Sequence, residues 1–111
     1  MATRKWSKSK YGAQKTIVDG RTFASKLEAA RYRELKALVA SGEVLSFTIQ
    51  PVFQLYAGIK YIADFRVYWA DGTTTVEDAE SVETDVFKLK KKLYEDMYGK
   101  LTVLTKKDIR Q

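Results

Sequence analysis

The sequence contains no cysteine and no histidine. Without cysteine there is no disulfide scaffold, no thiolate zinc site and no thiol nucleophile. Without histidine the serine and cysteine hydrolase triads, the one-metal nucleases that use a histidine base and most catalytic zinc sites are excluded. Any hydrolytic chemistry must therefore rest on carboxylates, lysines and an oxygen-seeking cation such as Mg²⁺ or Mn²⁺. Long apolar runs are missing too: none approaches the roughly 20 residues that span a bilayer, and the opening MATRKWSKSK has no hydrophobic signal core. The expectation is a cytoplasmic protein with no membrane partner.

What is present is a chain of 111 residues, 45% of them hydrophobic, which is enough for a single domain of about two packed layers. The net charge is +6 and it is unevenly spread. Residues 1–36 carry ten Lys/Arg against three Asp/Glu, and residues 83–111 carry eight against five. The middle, 37–82, carries two against six, and three of those acids fall between Glu77 and Glu80. Basic flanks suit a polyanion, because each phosphate neutralised releases counterions. An acidic centre repels the same polyanion unless a cation sits between them; a solvated surface with a chance acidic strand is the plainer alternative.

Residues 1–14 mix Lys, Arg, Ser and Gly with Trp6 and Tyr11 and read as a flexible basic arm, leaving 15–111 as the domain. A short hairpin follows, turning at Asp19-Gly20. Ser25-Lys26-Leu27-Glu28 is a capping box that opens a helix to about Ala40, closed by Ser41-Gly42. Leu27, Ala30 and Leu38 share one side of it, extended by Leu35 and Val39. From Val44 to Tyr56 the chain is β-like, interrupted at Gln50-Pro51 by the only proline. Lys60 to Trp69 gives a second strand, and Asp71-Gly72 turns into a third, Thr73 to about Glu80. A second helix spans about Asp85 to Tyr98, with Val86, Leu89, Leu93 and Met97 marking its apolar stripe. Gly99 ends it, and Leu101 to Leu104 forms a last strand. The class is mixed α+β, with a helix, a three-strand antiparallel meander, a helix and a strand after the hairpin.

Strand alternation sorts the acids. Asp64 interrupts a largely apolar strand, so it needs a cation, an ionic partner such as Arg66 or a helix lysine, or an open cleft. Asp78 and Glu80 share a face, and Glu77 points the other way. If the two strands are neighbours, Asp64 and Asp78 approach each other. Two like charges about 4 Å apart repel by roughly 4 kcal/mol at an effective dielectric near 20, and a divalent cation reverses that sign. Glu28 is accounted for by its capping role, yet it also lies at the edge of the buried side, where it could join a metal site. Lys88, Lys91 and Lys92 suit either a solvated face or phosphate contact.

The stretches Tyr11-Gly12, Phe23-Ala24-Ser25-Lys26-Leu27-Glu28-Ala29-Ala30-Arg31-Tyr32, Gln50-Pro51, Tyr61-Ile62-Ala63-Asp64-Phe65, Val76-Glu77-Asp78 and Phe87-Lys88-Leu89-Lys90-Lys91-Lys92-Leu93 occur together, in order. In this the chain resembles a family of small phage proteins described as Holliday-junction-resolvase-like and placed in the PD-(D/E)XK nuclease superfamily. The resemblance covers residues 10 to 105 and implies a restriction-endonuclease-like α-β-β-β-α-β core. It implies a metal-dependent endonuclease that hydrolyses phosphodiester bonds in DNA, branched DNA included. Asp64, Asp78 and Glu28 would hold Mg²⁺ or Mn²⁺, and position 80 would carry the catalytic lysine. Lys88, Lys91 and Lys92, with Lys8 and Lys10 of the arm, would contact nucleic acid. A homodimer is implied by analogy, since symmetric cutting of two strands needs two sites.

Position 80 departs from the pattern. The resembling proteins read Glu-Asp-Val-Lys-Gly where this chain reads Glu77-Asp78-Ala79-Glu80-Ser81. Three explanations stand side by side. An acid at this position is compatible with activity; or the lysine's role has moved to Lys88 or Lys91; or the protein is catalytically inactive and binds DNA, or a host protein, without cutting.

Overall fold

The structure, a computed structural model, describes residues 14–80 and 82–110. Strands β1 (Thr16–Val18) and β2 (Arg21–Phe23) form the expected hairpin, with Asp19 and Gly20 both at positive φ in its turn. Helix α1 (Lys26–Ser41) starts at Ser25, whose Oγ accepts the Glu28 N–H at 3.0 Å. It stops at Gly42, in the left-handed region at φ 86°, where the glycine N–H reaches the carbonyls of Leu38 and Val39. The hairpin is tied to this helix by Tyr32, whose hydroxyl donates to Asp19 Oδ2 at 2.8 Å, and by Lys36 at 3.2 Å. Those hydrogen bonds, that of Tyr32 foremost, hold the Asp19 carboxyl below its ordinary pKa.

The first β stretch is interrupted at Gln50-Pro51 as expected, and the second, expected as one strand, is divided as well. The first becomes β3 (Val44–Ile49) and β4 (Val52–Gln54), separated by Gln50 at φ 55° and Pro51. The second becomes β5 (Lys60–Ile62) and β6 (Phe65–Trp69), separated by Ala63 and Asp64. The breaks face each other: Gln50 N–H donates to the Asp64 carbonyl at 2.9 Å, and Ala63 N–H to the Pro51 carbonyl at 3.1 Å. A proline cannot donate to a ladder and a positive φ turns the chain, so the pairing bends here. Beyond the bend β4 and β5 pair as a separate ribbon, closed by a single 3-10 turn at Tyr56–Gly58.

Strands β7 (Thr74–Ala79) and β8 (Thr102–Leu104) complete a four-stranded sheet in the order β3-β6-β7-β8. The first two pairings are antiparallel; β8 runs parallel to β7, with helix α2 (Asp85–Tyr98) as the connection. The chain is thus mixed α+β. Among the described residues no helix is long and apolar enough to cross a membrane.

Two faces of the sheet are covered, one more layer than the composition suggested. On one face Phe65 and Val67 pack with Phe23, Ala29, Tyr32 and Leu35 under α1. Farther along, Leu27 and Ala30 meet Ala79 and Ile109 of the C-terminal turn. On the other face Val76, Ala63 and Leu101 pack with Phe53, Tyr61 and Tyr94, which joins α2 and the ribbon to the sheet. Along α1 the expected side is only partly right: Ala29 and Tyr32 enter the core, whereas Val39 is exposed.

The α2 stripe is corrected more sharply. Val86, at 64%, and Leu89, at 58%, are exposed, as is Met97. The buried side runs through Phe87, Leu93 and Tyr94, so Leu93 alone of the expected stripe packs on the core; Tyr98 stacks on Tyr94 at the exposed end, and Lys91 has its Nζ 3.3 Å from Glu95. Both stripes have helical period. The aromatic one wins because the facing ribbon is aromatic: Phe53 and Tyr61 lie 5.0 and 5.7 Å from Tyr94, ring centre to ring centre.

Two predictions follow from this packing. Leu89→Lys should change unfolding free energy by no more than about 0.5 kcal/mol, while Phe65→Ala, at a fully buried ring, should cost about 3–5 kcal/mol. Urea unfolding of both proteins checks the assignment, and equal costs would contradict it.

Candidate functional site

Strand β7 enters the interior carrying two consecutive acids, Glu77 at 2% exposure and Asp78 at 3%. Alternation sends them to opposite faces, so each is compensated by a different part of the chain. Glu77 turns toward α1 and is gripped by Arg31. Nε donates to Oε1 at 2.8 Å and a terminal guanidinium nitrogen to Oε2 at 2.7 Å. Arg31 also meets Glu34 at 3.0 Å, and Glu34 in turn accepts the Arg110 backbone N–H at 2.9 Å. Burial by itself would lower the Arg31 pKa; the hydrogen bonds and charge of Glu77, then of Glu34, outweigh it and the pKa is raised. This planar two-point contact is the strong geometry for an arginine and a carboxylate.

Asp78 points to the opposite face, toward α2. Its Oδ1 accepts the Asp64 N–H at 2.8 Å, while Asp64 Oδ2 accepts the Ala79 N–H at 2.8 Å. Each carboxylate is thus held by the backbone beside the other, and the two strands lock at the bend. The Asp64 N–H is shared with the Glu77 carbonyl, 3.1 Å away. The bend is what frees the Asp64 backbone from the ribbon ladder and sets its side chain next to β7. Backbone amides thus fix the orientation of both carboxylates.

The other anticipated residues are placed as follows. Glu28 is buried in the first turn of α1, the helix that packs on β7 through Ala30 and Ala79. Glu80 is half-buried just beyond β7, its N–H donating to the Leu104 carbonyl at 2.9 Å. Among the described residues, no three acids gather into a group ready to hold a metal ion; Asp64 and Asp78 are linked through the backbone hydrogen bonds just described. Lys88 and Lys92 are exposed on α2, and Lys91 is half-buried and paired with Glu95. Lys8 and Lys10 lie outside the described residues.

Sequence reasoning passed over Arg31 and gave Arg66 only a minor part. Arg31 could have been found, because it stands four residues from both Leu27 and Leu35, on the buried stripe, where a charge needs a partner. Arg66 shares its strand face with Asp64, and its guanidinium lies over the Phe53 ring at 5.3 Å. That contact depends on the ribbon folding back, which alternation alone does not reveal.

No curated protein matches the chain. Over residues 8–108 the sequence fits the model of a family described as a protein of unknown function, DUF1064, and the chain belongs to that family.

Proposed function

We propose that this protein is a metal-dependent endonuclease of the PD-(D/E)XK kind, hydrolysing phosphodiester bonds in DNA, with Asp64 and Asp78 at its centre. The observation that carries the proposal is the reciprocal bracket between these two carboxylates at the bend of the sheet. Its setting supports the reading: helix α1, the antiparallel strands β3, β6 and β7, helix α2 and the parallel strand β8, with Asp64 at the break before β6 and Asp78 on β7. The resemblance implies a similar order of elements, with acids at these two positions. Surplus positive charge at both ends of the sequence suits DNA as the partner.

Mg²⁺ usually binds through one or two carboxylates together with phosphate oxygens and water, so an oxygen-only pair without histidine or cysteine fits it chemically. Asp64 and Asp78 would hold the cation, which when bound polarises a phosphate and acidifies water. The rest belongs to the chain. The Asp64 and Ala79 amides fix both carboxylates in orientation, so little reorganisation is needed when a ligand arrives. The Arg31–Glu77 pair anchors β7 from behind. Branched DNA as the preferred substrate and a homodimer as the working form belong to the same proposal.

The alternative is a catalytically inactive DNA-binding protein on the same scaffold, and Glu80 is what favours it. An acid replaces the cation that would stabilise developing negative charge. Lys91, one candidate to replace it, is engaged by Glu95 at 3.3 Å.

Three outcomes are expected. First, Arg31→Ala should cost about 3–5 kcal/mol, because it leaves the Glu77 charge buried without its arginine. Arg31→Met combined with Glu77→Leu should recover much of that loss, as read from urea unfolding. Second, Mg²⁺ or Mn²⁺ should raise the melting temperature, by an amount equivalent to roughly 2.7 kcal/mol at a hundred times Kd. Asp64→Asn should abolish the rise while keeping an oxygen to accept the Ala79 amide; a rise that persists in the variant contradicts the assignment. Third, on duplex, flap and four-way-junction DNA, the protein should cut only with divalent cation, and Glu80→Lys should accelerate cutting by about 10²–10³-fold, the range for one electrostatic contact. Cutting by Glu80→Lys alone identifies the inactive binder, and no cutting by either protein rejects the nuclease proposal.

A further inference from the structure

A second feature lies on the same face of the sheet as Asp64 and Asp78, farther toward the start of β7. It is a cleft of about 400 Å³ between the sheet, the ribbon and the end of α2. That volume falls in the range of small-ligand sites. Arg66 of β6 and Lys100, which follows α2, both line it, together with Thr74 and Thr102, and no carboxylate does. Two cations and two hydroxyls without an acid make an environment for an anion. Arg66 supports this further: among the described residues its Nε–H is buried with no acceptor, which is costly for a guanidinium. Its position over Phe53 presets the planar fork that grips a phosphate at two points.

The other wall is aromatic. Tyr98 is 48% exposed, yet its ring is fixed, stacked on Tyr94 at 5.2 Å and with its hydroxyl donating to the Gln54 carbonyl at 2.7 Å. A tyrosine held by its hydroxyl edge and open over much of its surface is a platform for a flat ring. Anion donors beside a stacking platform match the two ends of one nucleotide. We infer that this cleft binds a single nucleotide unit, the phosphate on Arg66 and Lys100 and the base against Tyr98. Arg66 of β6 follows Asp64 by two residues, roughly 7 Å along the chain at the usual extended rise. A strand crossing the acid pair would therefore lay a neighbouring nucleotide in the cleft. The inference shares with the proposed nuclease only the class of ligand and needs no metal.

The test is a ¹⁵N NMR titration of the whole chain at low salt with excess chelator, using thymidine 5′-monophosphate, thymidine, inorganic phosphate and a short single-stranded oligonucleotide. The monophosphate or the oligonucleotide should shift the Arg66 side-chain signal and the amides of Thr74, Tyr98, Lys100 and Thr102; phosphate or nucleoside alone should bind more weakly. Response to the monophosphate identifies a free-nucleotide site, and response to the oligonucleotide alone identifies a subsite for a polynucleotide strand. Arg66→Gln and Lys100→Ala should each weaken binding by about tenfold or more, the usual loss for a charge-assisted contact. No shift with any ligand overturns the inference, as do shifts that neither substitution weakens in proteins with otherwise unchanged spectra. The titration is run without divalent cation, so absence of cleavage and absence of cleft binding are separate results.

Discussion

Two adjacent carboxylates buried in an interior strand set the terms for the rest of this molecule. Isolated ionised groups do not survive in an apolar layer, so Glu77 and Asp78 each require a dedicated solution. The strand sends them to opposite faces, and the solutions differ in kind. Glu77 is met by a charge, the guanidinium of Arg31, and that contact fixes the rotation of α1 against the sheet. Asp78 is met by a backbone N–H, that of Asp64 just before β6, which it shares with the Glu77 carbonyl. One solution is a charge from a helix; the other is a backbone amide of the neighbouring strand's edge.

The bend at Gln50-Pro51 and Ala63-Asp64 links fold and site. A continuous strand from Lys60 to Trp69 would spend the Asp64 backbone on an uninterrupted ladder. Division of the strand lets the β4–β5 ribbon fold over the second face, where Phe53 and Tyr61 meet α2. The same division turns Asp64 toward Asp78. On that face Arg66, Lys100 and Tyr98 line the cleft between ribbon, sheet and α2, and Asp78 lies buried farther along β7.

Much of the fold was legible in sequence because local chemistry and tertiary structure agree there. The Asp19-Gly20 turn, the Ser25 cap, the Gly42 stop and the Asp71-Gly72 turn rest on interactions within a few residues, and all four stand as expected. The opposite facing of Glu77 and Asp78 follows from the two-residue period of a strand. The α2 orientation was not legible, since two stripes of equal period compete and the choice lies in the surface they meet. The role of Arg31 was half legible, as a charge on an apolar stripe whose partner lies 46 residues away.

For the acid pair itself, sequence determined that two carboxylates, Asp64 and Asp78, stand on neighbouring extended segments in a chain without histidine or cysteine. It also determined that position 80 is an acid. Only the tertiary structure decided that the two carboxylates bracket each other at a bend, each held by an amide of the other's strand. The reason is physical: residue type and period fix which way a side chain points along one strand. The distance between two strands, and the backbone groups left over for a carboxylate to accept, are fixed by how a broken ladder re-pairs.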